Sequence, residues 1–300
     1  MTTIACVGLA VRDLVFAVPH LPQGPGKHFA DAHTEIGGGP AANAAVTVSA
    51  LGASARFIGC LGDDERGNAL DAELRSLGVD TTRVRRIRGA SSPLSSVYVD
   101  GSGDRMIVNH TDRALFSSAR PAAEEDVTGS DAVLVDTRWL DGAVAALRAA
   151  RSIGVPGIVD FEGRTGPATE QILATASHVA FAAPALAGLT GTDDVDTGLR
   201  SVAASTEAWL AVTAGERGVY WLEDGSLRHQ PAFPVAAVDT LGAGDVFHGA
   251  LAVGLAHRGG AAAAIRLASA AAAIKCTRFG GRAGIPSRDE VTEFLEERTT

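Results

Sequence analysis

The sequence predicts an α/β fold in a single domain spanning residues 1–300: a mostly parallel sheet flanked by helices, with a small antiparallel β lid. Short apolar runs alternate with helix-length amphipathic segments along most of the chain, the rhythm of strands covered by helices on both faces. The C-terminal part holds two long Ala-rich stretches of helical character. Two segments, about 12–35 and 91–112, break the rhythm by alternating polar and apolar residues, as a small separate sheet would.

Taken in order, residues 4–7 read as a strand, 41–51 as a helix stopping at Gly52, and 55–58 as the next strand. In the second irregular segment, Gly101-Ser102-Gly103-Asp104 separates two alternating runs and is a hairpin signal. Residues 132–135 form a strand, 142–152 a helix, and 156–159 a strand ending at Asp160. Strands are expected at 179–181, 208–212 and 219–222, then helices over 244–257 and 261–275.

Hydrophobic residues make up 46% and charged residues 20% of the chain, enough apolar matter for a large core and no compositional sign of disorder. Lys and Arg number 26 against 35 Asp and Glu, a formal charge of −9 that argues against a nucleic-acid partner. It leaves an anionic small molecule open, because a few placed cations act locally. Cys6, Cys60 and Cys276 lack CxxC spacing and are expected as buried reduced thiols. The eight His show no metal-ligand spacing, and nearly all are expected as solvated or capping residues. The run Arg75, Arg83, Arg85, Arg86 and Arg88 is expected as a solvated face, and Trp139 as core. No basic leader opens the sequence and no long apolar run could span a bilayer, so a cytoplasmic protein without a membrane partner is expected.

The chemistry concentrates in Asp239-Thr240-Leu241-Gly242-Ala243-Gly244-Asp245, directly before a helical run. Three small residues ahead of a helix let backbone amides approach a ligand, and the helix N-terminus adds partial positive charge. That suits charge developing on a transferring phosphoryl group, and a carboxylate beside it can take a hydroxyl proton. Taken alone, a carboxylate there also serves as an ordinary helix cap. A second Gly-rich run, Gly37-Gly38-Gly39-Pro40-Ala41-Ala42-Asn43, leads into a helix. Its glycines would let a sugar lie against bare backbone, with Asn43 offering amide hydrogen bonds.

Both runs resemble the two signatures of the ribokinase-like (PfkB) sugar kinases, the DTxGAGD string being matched with Leu241 in the variable slot. Phe57 through Gly67 and Val212-Thr213-Ala214-Gly215-Glu216-Arg217-Gly218 add weaker matches in the same order along the chain. The resemblance implies a Rossmann-like core, ATP and Mg2+, and transfer to a primary hydroxyl. It implies Asp245 as base, with the amides of Gly242, Ala243 and Gly244 as the anion hole. Asp13, Gly38, Gly39 and Asn43 would hold sugar hydroxyls, and Thr213, Gly215, Gly218, Gly242 and Gly244 the nucleotide. The family's NxxE pattern is missing, since Ala182 and Ala185 stand there, so the metal ligands stay unassigned, with Asp160 and Glu162 as candidates.

Further strings, among them Gly26-Lys27 and Asp136-Thr137-Arg138-Trp139, narrow the resemblance to the 6-deoxy-6-sulfofructose kinases. That implies phosphorylation at C1, with Lys27, Asn109 and Arg138 clasping the sulfonate. A permanent anion with three acceptor oxygens suits one forked donor, one point charge and one neutral donor. Fructose 6-phosphate, 2-keto-3-deoxygluconate, and a catalytically silent sugar sensor are the rival readings. A homodimer joined through the lid is expected, since open strand edges invite pairing.

Overall fold

The computed structural model describes residues 1–101, 104–163 and 167–298. Its strands are β1 (Thr3–Gly8), β2 (Val11–Ala17), β3 (Ala32–Gly38), β4 (Ser54–Gly62), β5 (Val79–Asp80), β6 (Arg85–Ile87) and β7 (Leu94–Val99). They continue with β8 (Arg105–His110), β9 (Ala132–Asp136), β10 (Gly157–Phe161), β11 (His178–Ala182), β12 (Trp209–Thr213), β13 (Val219–Glu223) and β14 (Ser226–Gln230). The main sheet runs β14-β13-β12-β11-β10-β9-β1-β4-β5, with β6 on β4; β5 through β12 pair parallel and the β12–β13–β14 edge is antiparallel.

Alternation along β1 shows why the sheet needs helices on both faces. Ile4 and Cys6 join one buried apolar cluster, whereas Ala5 and Val7 join the other. The first cluster gathers the helices Pro40–Ala50, Ala243–Ala256 and Ala261–Cys276; the second gathers Leu140–Ser152 and Val195–Ala203. Small residues let the first set pack closely: a Cβ on Gly249 would lie 2.7 Å from the Ala44 carbonyl oxygen.

The lid is a four-stranded sheet ordered β3-β2-β7-β8. β2–β3 and β7–β8 pair antiparallel, while the central β2–β7 pair runs parallel. Its register sets Asp13 beside Ser95, and Ser95 beside Asn109. Cross-strand neighbours share a face, so the three polar groups form one row. Ser102 and Gly103 of the expected hairpin turn lie outside the described residues.

Every strand and helix expected from the sequence is present, with ends shifted by at most a few residues. Trp139 is core, at 2% exposure. Cys6 and Cys60 are buried free thiols, and Cys276 is partly buried. The arginine run needs correcting. Arg75, Arg83 and Arg88 are exposed, but Arg85 turns inward, bonds buried Asp126 at 2.8 Å and lies over the Trp139 ring. Its guanidinium adds a charge-matched partner to a buried carboxylate that also accepts from the Ala123 amide at 2.8 Å. Among the histidines, expected nearly all as solvated or capping residues, His248 is an exception, at 3% exposure. Among the described residues no helix is long and apolar enough to cross a membrane.

Candidate active site

The carboxyl ends of β1, β9 and β10 open onto the lid, and a cleft of about 830 Å3 lies between them. Ligands of open parallel sheets gather at such strand ends. The cleft is lined by Asp13, Gly39, Asn43, Asn109, Arg138, Gly242 and Asp245, seven of the expected site residues. Residues 202 and 244 positions apart in sequence meet here: Asn43 with Asp245, and Gly38 with Arg282.

Asp245 occupies the first turn of the helix Ala243–Ala256, after Gly242 in the left-handed conformation at φ 78°. Most side chains resist that conformation, which fits glycine before the helix. Asn43 Nδ2 donates to Asp245 Oδ2 at 2.6 Å. Desolvation, then the charge of Glu162, raises the Asp245 carboxyl to about 7; the Asn43 bond opposes this, and Asp136 and Asp13 add to it. A carboxylate poised near neutrality suits proton removal. The expected three-amide anion hole needs one correction. The Ala243 amide donates to the Thr240 carbonyl at 3.2 Å, as the tight turn brings them together.

Asp136 ties the cleft floor together. Its Oδ2 accepts from the amides of Leu9 (2.7 Å) and Ala41 (3.1 Å), and its Oδ1 from the amide of Arg138 (2.8 Å). The chain passes close at Gly39, where φ is 99° and a Cβ would fall 2.4 Å from the Leu9 carbonyl oxygen. Asp13 sits over Gly38, is 8% exposed, and is raised to about 6 by desolvation against the Ser95 bond and the Arg282 and Arg12 charges.

At the end of β10, Asp160, Glu162 and Asp245 bring carboxylate oxygens within 4.8 Å of one another. Asp160 lies opposite Asp136 in the sheet, is held above the usual carboxylate range by burial and then by the Glu162 charge, and buries Oδ1 without a partner among the described residues. An all-oxygen donor set with an orphaned buried oxygen fits a hard divalent cation such as Mg2+. Ala182 and Ala185, at the positions of the missing pattern, supply no donor. His248 Nδ1 lies 3.3 Å from Asp160 Oδ2, and burial lowers this imidazole to about 4, keeping it neutral.

The three residues expected to clasp a sulfonate separate. Arg138 lines the cleft and pairs with Glu162. Asn109 lines it too, its Nδ2 donating to Ser95 Oγ at 2.8 Å. Lys27 departs from expectation: it is exposed, in the connection between β2 and β3, off the cleft wall, where its charge stays hydrated. Arg105 and Arg113, which no motif marked, stand on the wall instead. Thr213, Gly215 and Gly218 lie around the β12–β13 turn and do not line this cleft. Sequence reasoning also missed Glu73, Arg282 and Lys275, buried or half-buried ions whose partners are remote in sequence.

The pfkB family carbohydrate kinase profile matches residues 1–288. The ribokinase of Haemophilus influenzae is 30% identical over 308 residues, covering 98% of each chain. The fructokinase of Klebsiella pneumoniae is 30% identical over 321 residues, covering 96% of this chain and 98% of its own. Among solved structures, a putative ribokinase from Agrobacterium tumefaciens is 39% identical, with a TM-score of 0.94 over 99% of this chain and 98% of its own. With both signatures, the fold and the carboxylate-lined cleft in agreement, the chain belongs to the pfkB family of carbohydrate kinases, which transfer a phosphoryl group from ATP to a sugar hydroxyl.

Proposed function

We propose that this kinase phosphorylates a sugar carrying an anion at the end remote from the reacting hydroxyl, with 6-deoxy-6-sulfofructose, phosphorylated at C1, as its substrate. The observation that carries this reading is the shared cleft of Asp245 and Arg138, with Glu162 between them. The lid row of Asp13, Ser95 and Asn109 faces the same space and offers hydrogen bonds to sugar hydroxyls and to a sulfonate. Arg105 and Arg113 add cationic character that a neutral sugar would not need. Lys27 would join only by movement of the connection between β2 and β3.

Asp245 takes the proton of the attacking hydroxyl, its carboxylate held on one side by Asn43. The backbone amides of Gly242, at the helix N-cap, and Gly244, in its first turn, face the negative charge that grows on the transferring group. Asp160 and Glu162 would hold Mg2+, which when bound neutralises charge on the nucleotide phosphates. The lid closes the sugar from water, which limits wasteful ATP hydrolysis. Thr213, Gly215 and Gly218 are assigned to the nucleotide side. We infer that two copies pair through the lid, because β8 is exposed along its length and carries Met106, Ile107 and Val108. Light scattering of Val108→Glu against the parent tests this; a monomeric parent would end it.

The test of function is kcat/KM with ATP for 6-deoxy-6-sulfofructose, fructose 6-phosphate, 2-keto-3-deoxygluconate, fructose and ribose. Preference for the sulfosugar is expected. Preference for fructose or ribose overturns the anionic-substrate reading, and preference for another anionic sugar overturns the sulfonate alone. A parent that binds sugar without forming ADP would be a sensor.

A further inference from the structure

Arg282 is an arginine with 5% of its side chain exposed, in the short turn Gly281–Gly284, remote in sequence from Asp245. Each arm of its guanidinium is engaged. Nε donates to Asn43 Oδ1 at 2.9 Å, Nη1 to Glu73 Oε1 at 2.8 Å, and Nη2 to the Gly38 carbonyl at 2.9 Å. Glu73 is held in turn: Oε1 accepts from the Gly37 amide at 3.2 Å and Oε2 from Arg12 Nη1 at 3.1 Å.

The chemistry of this chain is directional. A guanidinium has donors only, so whatever it touches must present an oxygen. A carboxamide has an oxygen on one side and an NH2 on the other, and could otherwise turn either way. With Arg282 on one side of Asn43, the oxygen must face Arg282 and the NH2 must face Asp245. The structure has that arrangement, with the Asn43 Nδ2 to Asp245 Oδ2 bond at 2.6 Å. An inverted carboxamide would set two oxygens against each other at Asp245 and two donors at Arg282.

We propose that Arg282, anchored by Glu73, is a positioning residue that acts through Asn43 to fix the rotamer of the catalytic carboxylate. The logic is that of a base oriented by a second group, here a cation two contacts away. Arg282 also binds Gly38, against which Asp13 rests, so one side chain sets the sugar-binding glycine and the base together. The inference rests on the assignment of Asp245 as base.

A double-mutant cycle on kcat tests it, with Asp245→Asn as the control for the underlying assignment. Arg282→Met is expected to lower kcat roughly 10–100-fold, the scale of a misplaced catalytic group, with the KM for ATP changed less than about threefold. In an Asn43→Ala background the same substitution should lower kcat by less than about threefold, because the relay is already cut. Effects that multiply in the two backgrounds overturn the proposal. Glu73→Gln, which keeps an acceptor oxygen but loses the charge, gives the same cycle in a milder form if Arg282→Met does not fold. Full turnover in Asp245→Asn would instead sink the assignment of the base, a result distinct from multiplicative effects in an enzyme that needs Asp245.

Discussion

Arg138 and Glu162 form an ion pair across the carboxyl ends of the adjacent strands β9 and β10, with the Glu162 carboxylate also within 4.8 Å of those of Asp160 and Asp245. Glu162 therefore has two competing partners: the guanidinium, and any cation held with Asp160. A cation that draws Glu162 away would free Arg138 for an anionic sugar. Glu162→Gln is expected to tighten sugar-anion binding about 3–10-fold by calorimetry without metal, since a charge-assisted pair no longer competes. The same variant should need more Mg2+ for half-maximal turnover. Unchanged binding in the absence of metal would mean that Arg138 does not meet the sugar's anion.

Arg138 itself gives the sharper substrate test. A lysine keeps the charge but loses the fork that can grip two oxygens. Arg138→Lys is expected to raise the KM of the anionic sugar about tenfold, and Arg138→Met about 100-fold, with kcat less affected. Equal losses for a neutral sugar, measured in the same steady-state assay, would contradict the pairing.

Asp245 should govern two pH dependences of opposite benefit. Desolvation, then Glu162, holds it at about 7 against an ordinary 3.8, so it is largely protonated in the folded protein below neutrality. A base must be ionised, and kcat/KM is expected to fall below about pH 7, with Asp245→Asn lowering kcat by about 100-fold or more at all pH values. Stability runs the other way. A folded state that holds the proton more tightly than the unfolded chain loses stability as pH rises from 3.8 to about 7. Asparagine does not titrate, so Asp245→Asn should melt higher than the parent at about pH 8, the gain shrinking toward about pH 4. Thermal melts across that range check the sign.

How much of this was legible beforehand depends on the kind of signal. β1, β9 and β10 announce themselves because strands buried on both faces are short, nearly continuous apolar runs such as Ala132–Asp136. The turn around Gly242 and the approach at Gly39 show because only small residues fit them. Asn43, Asp13 and Asp245 were found through motifs, and the cleft gathers them. Lys27 rests on a string match alone, and a long exposed side chain in an irregular connection has no local rule to place it. Asp136 and Arg282 stand in the sequence only as letters of matched strings, and Glu73 in none, because the contacts that give them their roles are mostly tens to hundreds of positions away, and periodicity reports only neighbours.

Gly38 tests the sugar side separately from the base. A Cβ there would come 2.0 Å from Asp13 Oδ2 and 3.3 Å from the Val11 side chain. Asp13 is 8% exposed and has little room to retreat. Gly38→Ala should therefore push the Asp13 carboxylate out of place and raise the sugar KM about 10–100-fold, leaving the ATP KM within about threefold. Steady-state kinetics with each substrate varied in turn would show it; a rise confined to ATP would remove Asp13 from the sugar site.

Lys275 has no exposed surface at all, and a lysine is almost never so placed without partners. Its Nζ reaches the Asp239 carbonyl at 3.0 Å, Asp239 Oδ2 at 3.2 Å and the Arg278 carbonyl at 3.2 Å. Asp239 opens the turn that leads to Asp245 and also accepts from the amides of Leu241 and Gly280. Although desolvation opposes it, the Leu241 amide and the Lys275 charge hold the Asp239 carboxyl below its ordinary range. A depressed carboxylate stabilises the fold at neutral pH and loses that contribution as pH falls through its folded value. Lys275→Met, close in length but without the charge, leaves the Asp239 carboxylate without its cation and is expected to cost about 3 kcal/mol. That corresponds to a fall of roughly 5 °C or more in Tm at neutral pH, narrowing under acid conditions. Because the clamp holds the turn before the helix Ala243–Ala256, kcat should fall as well, by about tenfold at temperatures where the variant is folded. A variant that melts like the parent at neutral pH would show that the three oxygens around Nζ do not need the charge.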